Sequence, residues 1–224
     1  MTPKLAIFDV DGTLVDSQAD ILQAMAVAFA QAGLPAPPRA AVLAIVGLSL
    51  PQAIAALAPT ADAPTLAHME AAYKDAYAAL RRGGSVDASP LYPGIAGLLD
   101  RLAARDDLLL GIATGKSRRG LDALLDSVDL RARFVTRQVA DDHPSKPHPS
   151  MLLTALAETG VDAGDAVMIG DTEFDIAMAR AAGIVPIAVG WGYHPPDRLT
   201  RAETIVDDAA ALETAILQML EIAP

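Results

Sequence analysis

The sequence predicts an α/β fold, a doubly wound parallel sheet that carries an inserted all-helical domain. From about residue 90 to the C-terminus, short apolar runs typical of buried strands alternate with amphipathic helical patterns. A long stretch directly after the first predicted strand contains helical patterns only. Because connections within compact domains are usually short, we interpret residues 17–85 as an inserted domain and residues 1–16 and 86–224 as the core domain.

The first predicted strand leads into a pair of aspartates. Leu5 to Phe8 is apolar without interruption, as expected for a strand buried on both faces of a parallel sheet, and Asp9 and Asp11 follow it. Residues two apart share a face of an extended chain, so both carboxylates can point into one crevice at the ligand-binding edge of the sheet. Their mutual repulsion then requires a cation or a shared proton. The same residues would also suit a solvated acidic turn or a calcium loop, with Gly12 supplying a positive φ.

The inserted region shows two apolar stripes at helical spacing. The first begins at Gln18 and stops at Gly33-Leu34-Pro35, and the second runs from Leu66 to Leu80. Shorter helical pieces lie around residues 39–46 and 50–57, where prolines interrupt the pattern. Since no strand pattern separates these pieces, the insertion is predicted to be all-helical.

The remaining elements alternate between the two types. Helices are predicted at residues 95–105, 118–127, 150–159, 174–182 and 209–221. Strands are predicted at residues 108–113, 133–136, 166–169, 184–189 and 204–206. This order implies a parallel sheet with helices on both faces.

Polar residues follow three more of the predicted strands. Thr114, with Gly115 behind it, can offer a hydroxyl and backbone amides to a phosphate, although an isolated Thr there could simply cap a helix. Lys146 lies between prolines that stiffen the backbone, although an isolated loop lysine is usually just solvated. Asp171 and Asp175 follow a further strand, where Asp171 alone could cap a helix and leave Asp175 exposed.

These strand ends are expected to converge, because the carboxyl ends of parallel strands meet at one edge of the sheet. Asp9, Asp11 and Asp171 supply the hard oxygen ligands that suit Mg²⁺. Thr114 and Lys146 supply donors for a phosphoryl group. The sequence therefore predicts a magnesium-dependent phosphoryl-transfer site.

The ordered set of motifs resembles the haloacid dehalogenase superfamily of phosphohydrolases, from residue 7 to about residue 190. The motifs are Asp9-x-Asp11-Gly12-Thr13, Thr114, Lys146, and Gly170-Asp171 through Asp175. The resemblance implies a Rossmann-like core and identifies the helical insertion with that superfamily's C1 cap. The segments Asp9 to Ile21 and Leu91-Tyr92-Pro93-Gly94 look most similar to the phosphoglycolate phosphatase branch. The second motif of the family often has Asn where this chain has Gly115.

The resemblance also implies a role for each motif residue. Asp9 would be the nucleophile that forms an aspartyl-phosphate, Asp11 the general acid and then base, and Lys146 the residue that orients Asp9 and balances its charge. The implied phosphate-binding residues are Thr114, Gly115 and Gly12. The implied magnesium ligands are Asp9, the Asp11 carbonyl and Asp171, with Asp175 supporting through water.

Other functions stay open at this point. A sugar-phosphate mutase of the superfamily usually carries a His after the first motif, and residues 16–22 contain none. A pyrophosphatase of the same superfamily is a second alternative. True dehalogenases do not keep the aspartate found here as Asp11, so phosphate chemistry is favoured. A phospho-aspartate signalling or binding module without turnover is the alternative from another class, and a receiver-like domain would lack the inserted helices.

The amino-acid composition limits the kinds of binding partner that the protein can have. The chain has 224 residues, 17 basic and 28 acidic, with a net charge of −11 and no cysteine. This balance argues against nucleic acid or an anionic membrane as partner, and no secretory signal or membrane-spanning run is recognisable. We expect a cytoplasmic protein acting on a small phosphorylated metabolite. The sequence names neither that metabolite nor a choice between monomer and homodimer.

Substrate specificity is expected to lie in the insertion. The segment Gly47-Leu48-Ser49 sits in a helical break, and four cations of the insertion are candidates to pair with an anion, although such residues are more often simply solvated on a helix surface. These cations are Arg39, Lys74, Arg81 and Arg82.

Overall fold

The computed structural model describes residues 3–82 and 89–223. The strands are β1 (Lys4–Phe8), β2 (Leu108–Thr114), β3 (Thr136–Val139), β4 (Ala166–Gly170), β5 (Val185–Val189) and β6 (Thr204–Val206). The helices are α1 (Gln18–Gln31), α2 (Arg39–Leu43), α3 (Leu50–Leu57), α4 (Ala63–Arg82), α5 (Ile95–Ala103), α6 (Arg118–Ser127), α7 (Ser150–Thr159), α8 (Glu173–Ala181) and α9 (Ala209–Met219). Among these helices, none combines the length and the apolar character needed to cross a membrane.

The strands form one parallel sheet in the order β3-β2-β1-β4-β5-β6. β1 lies inside the sheet, where Leu5 is in register with Leu109 of β2 on one side and with Ala166 of β4 on the other. The strand order reverses at β1, so a crevice opens at the carboxyl end of this strand. The predicted doubly wound parallel α/β sheet is confirmed.

Helices cover both faces of the sheet. In β1, Ala6 and Phe8 point into the core shared with α5, α6 and α9, whereas Leu5 and Ile7 point into the core shared with α7 and α8. Alternate side chains of a strand point to opposite faces, so a strand with two covered faces needs apolar residues at every position. This explains the uninterrupted apolar run that precedes Asp9.

Helices α1 to α4 pack around a core of their own, in which Met25 of α1 and Met69 of α4 are almost fully buried. We therefore keep, as a proposal, the division into a cap domain at residues 17–85 and a core domain at residues 1–16 and 86–224. The boundary between residues 85 and 86 lies outside the described residues.

One strand lies further along the chain than predicted. The pattern predicted a strand at residues 133–136, whereas Arg131–Arg133 form a 3₁₀ turn and β3 spans Thr136–Val139. The Gln138 side chain is buried in β3 and donates to Glu158 Oε2 at 2.8 Å. Because a polar side chain that is buried through a hydrogen bond to an exposed glutamate occupies this strand, apolar patterning alone misplaced it.

Candidate active site

Asp9 continues β1 into the crevice. Its N–H donates to the Ile169 carbonyl at 2.8 Å, so the pairing with β4 extends one residue beyond the strand. The chain then turns sharply, and the Val10 carbonyl accepts from the Leu14 N–H at 2.9 Å. Asp9 is 1% exposed. The backbone of both strands therefore holds its carboxylate at the edge of the sheet.

Gly12 allows this turn to pass close to Asp171. Its φ is +82°, and a Cβ placed on it would lie 2.2 Å from Asp171 Oδ2. The Gly12 N–H donates to the Val15 carbonyl at 2.9 Å. The turn accounts for glycine at this position, and the contact of Gly12 with phosphate stays a prediction.

A comparison of Gly12→Ala with Gly33→Ala distinguishes the cost of a clash with Asp171 from the cost of placing a side chain on a residue with positive φ. Gly33 also has a positive φ, +69°, but a Cβ on it would meet no atom within 4 Å. We expect Gly33→Ala to cost about 1–2 kcal/mol, the strain of a left-handed residue, and Gly12→Ala to cost at least about 2 kcal/mol more through the clash with Asp171. Urea unfolding of both variants measures the difference. Equal losses would contradict the close approach of Gly12 to Asp171.

Three buried carboxylates converge beside this turn. Oxygens of Asp9, Asp171 and Asp175 all lie within 4.8 Å of one another. Asp171 accepts from Thr13 Oγ1 at 2.9 Å and from the Tyr193 N–H at 2.8 Å. These two donors come from the turn after β1 and the loop after β5, so the position of Asp171 depends on the assembled sheet.

Asp175 lies in the first turn of α8. Its Oδ2 accepts from the Thr172 N–H at 3.0 Å and from Thr172 Oγ1 at 2.6 Å, and Thr172 caps the helix. Its Oδ1 accepts from Lys146 Nζ at 2.6 Å. The helix cap considered from the sequence therefore exists, but Thr172 forms it and Asp175 is buried.

Lys146 is the cation of the cluster. Its Nζ lies 2.8 Å from Asp9 Oδ1 and 2.6 Å from Asp175 Oδ1, and its side chain is fully buried. Burial by itself would lower its pKa, but the carboxylates of Asp175 and Asp9 together raise the pKa of Lys146 above its ordinary value. One ammonium therefore faces three carboxylates, which leaves an excess of negative charge.

Burial and the excess of negative charge together raise the pKa values of two of these carboxyl groups, those of Asp9 and Asp171. Burial raises the pKa of Asp9 to about 7, with Lys146 opposing and Asp175 adding to the effect. Burial, with repulsion from Asp175 and Asp9, raises the pKa of Asp171 well above its usual range. Neither oxygen of Asp9 is aligned for a hydrogen bond with any described residue. Buried carboxylate oxygens with surplus negative charge, of which the two of Asp9 have no aligned hydrogen-bond donor, fit a divalent cation such as Mg²⁺.

Asp11 makes a different set of contacts. Its Oδ1 pairs with Lys116 Nζ at 2.8 Å and accepts a hydrogen bond from Ser17 Oγ. Lys116 Nζ also donates to the Tyr77 hydroxyl at 3.0 Å, and Tyr77 belongs to α4 of the insertion. No role was predicted for Lys116 from the sequence. Its position two residues after the end of β2 nevertheless places it at the carboxyl edge of the sheet, where the other site residues were expected. Coordination of a metal through the Asp11 carbonyl stays a prediction.

Thr114 and Gly115 lie beneath the insertion at the end of β2. Thr114 is buried, and its Oγ1 accepts from the Lys116 N–H at 3.2 Å, so its own proton is available to a phosphoryl oxygen. A Cβ on Gly115 would lie 2.8 Å from the Leu48 carbonyl oxygen and 2.9 Å from that of Gly47. The Asn often found at this position in the family would collide with the insertion, so its replacement by glycine matches the close approach of Leu48.

A cavity of about 760 Å³ lies between the sheet edge and the insertion, and it is lined by Asp9, Asp11 and Thr114. Most of the specificity candidates also line it, namely Gly47, Leu48, Ser49, Lys74 and Arg81. Lys74 forms an ion pair with Glu70. Arg39 instead donates to Gln18 Oε1, and the side chain of Arg82 lies outside the described part of the chain.

Fold and site together define a doubly wound α/β protein in which a buried aspartate paired with a lysine opens into a cavity at the carboxyl edge of the sheet, an arrangement typical of an enzyme active site. Comparison with known proteins then narrows this class. The chain belongs to the haloacid dehalogenase-like hydrolases, whose family model matches residues 6–189. The resemblance recognised in the sequence is confirmed.

Relatives cover nearly the whole chain. A protein of Dickeya dadantii named "Probable phosphatase IndB" is 34% identical over 97% of this chain and 95% of its own length. A phosphoglycolate phosphatase of Rhodospirillum rubrum is 34% identical over 94% of this chain and 89% of its own length. A β-phosphoglucomutase structure from Clostridium difficile has a TM-score of 0.83 at 18% identity, over 98% of both chains. Since a mutase shares the fold, the fold alone does not separate hydrolysis from phosphoryl transfer between sugar positions.

Proposed function

We propose that this protein is a Mg²⁺-dependent phosphatase that hydrolyses small phosphomonoesters through an aspartyl-phosphate on Asp9. The observation that carries this proposal is the Asp9 carboxylate, which lines the cavity, pairs with Lys146 at 2.8 Å and has no aligned hydrogen-bond donor. The printed names of the two curated relatives support phosphatase chemistry. The name of the Rhodospirillum rubrum protein makes a phosphoglycolate-like ester the first substrate to test.

In the first step a carboxylate oxygen of Asp9 attacks phosphorus, and the bond between phosphorus and the ester oxygen breaks. Asp11 donates a proton to that oxygen, so an alcohol leaves rather than an alkoxide. The Thr114 hydroxyl and the Gly115 N–H hold phosphoryl oxygens during the transfer. Lys146 keeps Asp9 oriented, because its ammonium is anchored on the other side by a second carboxylate.

In the second step water attacks the phosphorus of the aspartyl-phosphate. Asp11, now ionised, accepts a proton from this water, and the bond between phosphorus and the Asp9 oxygen breaks. Inorganic phosphate leaves, and the Asp9 carboxylate is restored. Lys116 Nζ, which lies 2.8 Å from Asp11 Oδ1, orients the Asp11 side chain for both proton transfers.

Mg²⁺ would be held by the buried carboxylates of Asp9, Asp171 and Asp175, together with the carbonyl of Asp11. When bound, the ion neutralises charge on the transferred phosphoryl group. The surplus of three carboxylates over one ammonium is what supports this assignment.

Removal of the metal tests the proposal. With p-nitrophenyl phosphate as substrate and Mg²⁺ present, we expect release of inorganic phosphate, and in excess EDTA we expect kcat to fall by at least about 100-fold, since the ion supplies several kcal/mol of charge stabilisation. Excess Mg²⁺ should restore the rate. It should also stabilise the fold by about 2.7 kcal/mol at a hundred times its Kd.

Two results would contradict the proposed function. Undiminished turnover after dialysis against EDTA would remove the metal requirement. Failure to release phosphate from any monoester in the presence of Mg²⁺, with the protein folded, would favour a binding module without turnover.

A further inference from the structure

The cavity above Asp9 is larger than a small phosphomonoester needs. Its volume of about 760 Å³ falls within the range of roughly 300–1,000 Å³ that is typical of pockets for drug-sized ligands. Phosphoglycolate consists of a phosphoryl group on a two-carbon acid. Such a molecule would occupy only the part of the cavity next to Asp9 and Thr114 and would leave the remainder to water.

The lining contributed by the insertion is largely apolar. Met25 of α1, Val46 and Leu48 face the cavity together with Tyr73 and Tyr77 of α4. The two tyrosine rings stack with their centroids 5.8 Å apart and their planes 20° from parallel. An apolar or aromatic group gains free energy by leaving water for such a surface, whereas a carboxylate does not.

The insertion already touches the core at several separate points. The Ser49 N–H donates to Ser145 Oγ at 2.8 Å, and His194 Nε2 lies 3.2 Å from the Ala44 carbonyl oxygen. Helix α4 reaches Lys116 through the hydroxyl contact described above. The cavity therefore lies between two parts of the chain that are already in contact at these points.

The lysines next to the phosphoryl site are already neutralised. Lys146 pairs with Asp9 and Asp175, and Lys116 pairs with Asp11. A two-carbon substrate would place its carboxylate close to phosphorus, beside Lys116 and Lys146, whose ammonium groups carboxylates already occupy. Arg81 of α4 and Arg119 of α6 also line the cavity, without a carboxylate partner among the described residues. A substrate whose organic part is uncharged near the phosphoryl group does not require a free cation there.

We propose that the substrate of this site is a phosphomonoester of a bulky, largely apolar alcohol, with an aromatic group packed against the tyrosines of α4. This inference rests on the proposed function and specifies the class of ester that it acts on. Phosphoglycolate is then a poor substrate of the same chemistry. The insertion selects the substrate by the size and apolar character of the group bound between Met25, Leu48 and Tyr77.

A series of esters with one kind of leaving group tests this inference. Ethyl, benzyl and naphthylmethyl phosphate are all esters of primary alcohols, so the organic part grows while the leaving oxygen stays comparable. With Mg²⁺ present, we expect kcat/KM to rise at least about tenfold from ethyl to benzyl phosphate, because even one buried methylene is worth that much in a fitted pocket. Naphthylmethyl phosphate should equal or exceed benzyl phosphate, and phosphoglycolate should fall below both.

A pair of neighbouring alanines on α4 provides a matched control. Ala78 lines the cavity, whereas Ala79 is exposed and does not. Ala78→Phe should lower the ratio of kcat/KM for naphthylmethyl phosphate to that for ethyl phosphate by at least about tenfold, by filling part of the cavity. Ala79→Phe should leave this ratio within about twofold of the unmodified protein, as expected for a surface substitution.

The outcomes separate this inference from the proposed function. If ethyl phosphate or phosphoglycolate is the best substrate of the series, the inference is overturned while phosphatase activity stands. If Ala78→Phe and Ala79→Phe have the same ratio of kcat/KM for naphthylmethyl phosphate to that for ethyl phosphate, the cavity does not hold the organic group and the inference fails. If the folded protein with Mg²⁺ hydrolyses none of the esters, the proposed function itself fails and the inference falls with it.

Discussion

Replacing Asp9 by Asn will lower kcat for p-nitrophenyl phosphate by a factor on the order of 10⁴ to 10⁶, the loss typical of removing a nucleophile. The neutral amide cannot form the aspartyl-phosphate, and no neighbouring carboxylate can replace it. Asp171 is held by Thr13 and Tyr193, and both oxygens of Asp175 accept hydrogen bonds. Release of inorganic phosphate under saturating substrate and Mg²⁺ measures the loss.

The same variant should remain folded, which distinguishes a chemical defect from a structural one. Asp9→Asn removes one of three mutually repelling buried carboxylates, while Lys146 keeps its pair with Asp175 at 2.6 Å. We therefore expect its Tm in EDTA to equal or exceed that of the unmodified protein. Asp106→Asn, the same change at an exposed position, should alter neither kcat nor Tm. Turnover by Asp9→Asn within tenfold of the unmodified protein would exclude Asp9 as the nucleophile.

Replacing Lys146 by Met will damage both stability and activity. The methionine side chain has a similar length but no charge, so Asp9 and Asp175 would remain buried without their common partner. Breaking a buried ion pair from one side costs about 3–5 kcal/mol. We expect a loss of this size in the free energy of unfolding from urea titration in EDTA, and a loss of at least about 100-fold in kcat where the protein is folded.

Lys116→Met provides a matched comparison for this prediction. Lys116 is the other lysine of the site, but its partner Asp11 keeps 13% of its side chain exposed. Water can therefore compensate Asp11 in part, and Lys116→Met should lose distinctly less unfolding free energy than Lys146→Met. Mg²⁺ should recover part of the stability of Lys146→Met, since the ion adds positive charge to the same carboxylates. Equal unfolding midpoints for Lys146→Met and the unmodified protein would show that the lysine does not hold the cluster together.

Much of the sheet could be predicted because most of its strands are marked by a local run of apolar residues. The run from Leu5 to Phe8 is apolar at every position, and the strand it predicts agrees with β1 to within one residue. β3 was misplaced because Gln138 is buried by means of a partner, Glu158, that lies 20 residues away. Local hydropathy does not report such a partner.

The residues of the site were also predicted more completely than their contacts. Asp9, Asp171 and Lys146 were recognised as polar residues at strand ends or in a stiffened loop, and the structure brings all three together. The bridge from Asp11 through Lys116 to Tyr77 was missed. This bridge joins the core to the insertion. No spacing pattern in the sequence predicts the contact between Lys116 and Tyr77, which are 39 positions apart.

The sequence by itself determined the order of strands and helices, the interruption by a helical insertion, and the residue types at the edge of the sheet, because periodicity and motif spacing are local properties. Only the tertiary structure decided which charged side chains pair with one another and how large the cavity beside them is. Lys146 and Asp175 meet across 29 residues of chain, and the cavity is bounded by side chains from both the sheet edge and α1 to α4. Pairing and volume depend on how separate elements pack, so they exist only once the chain is folded.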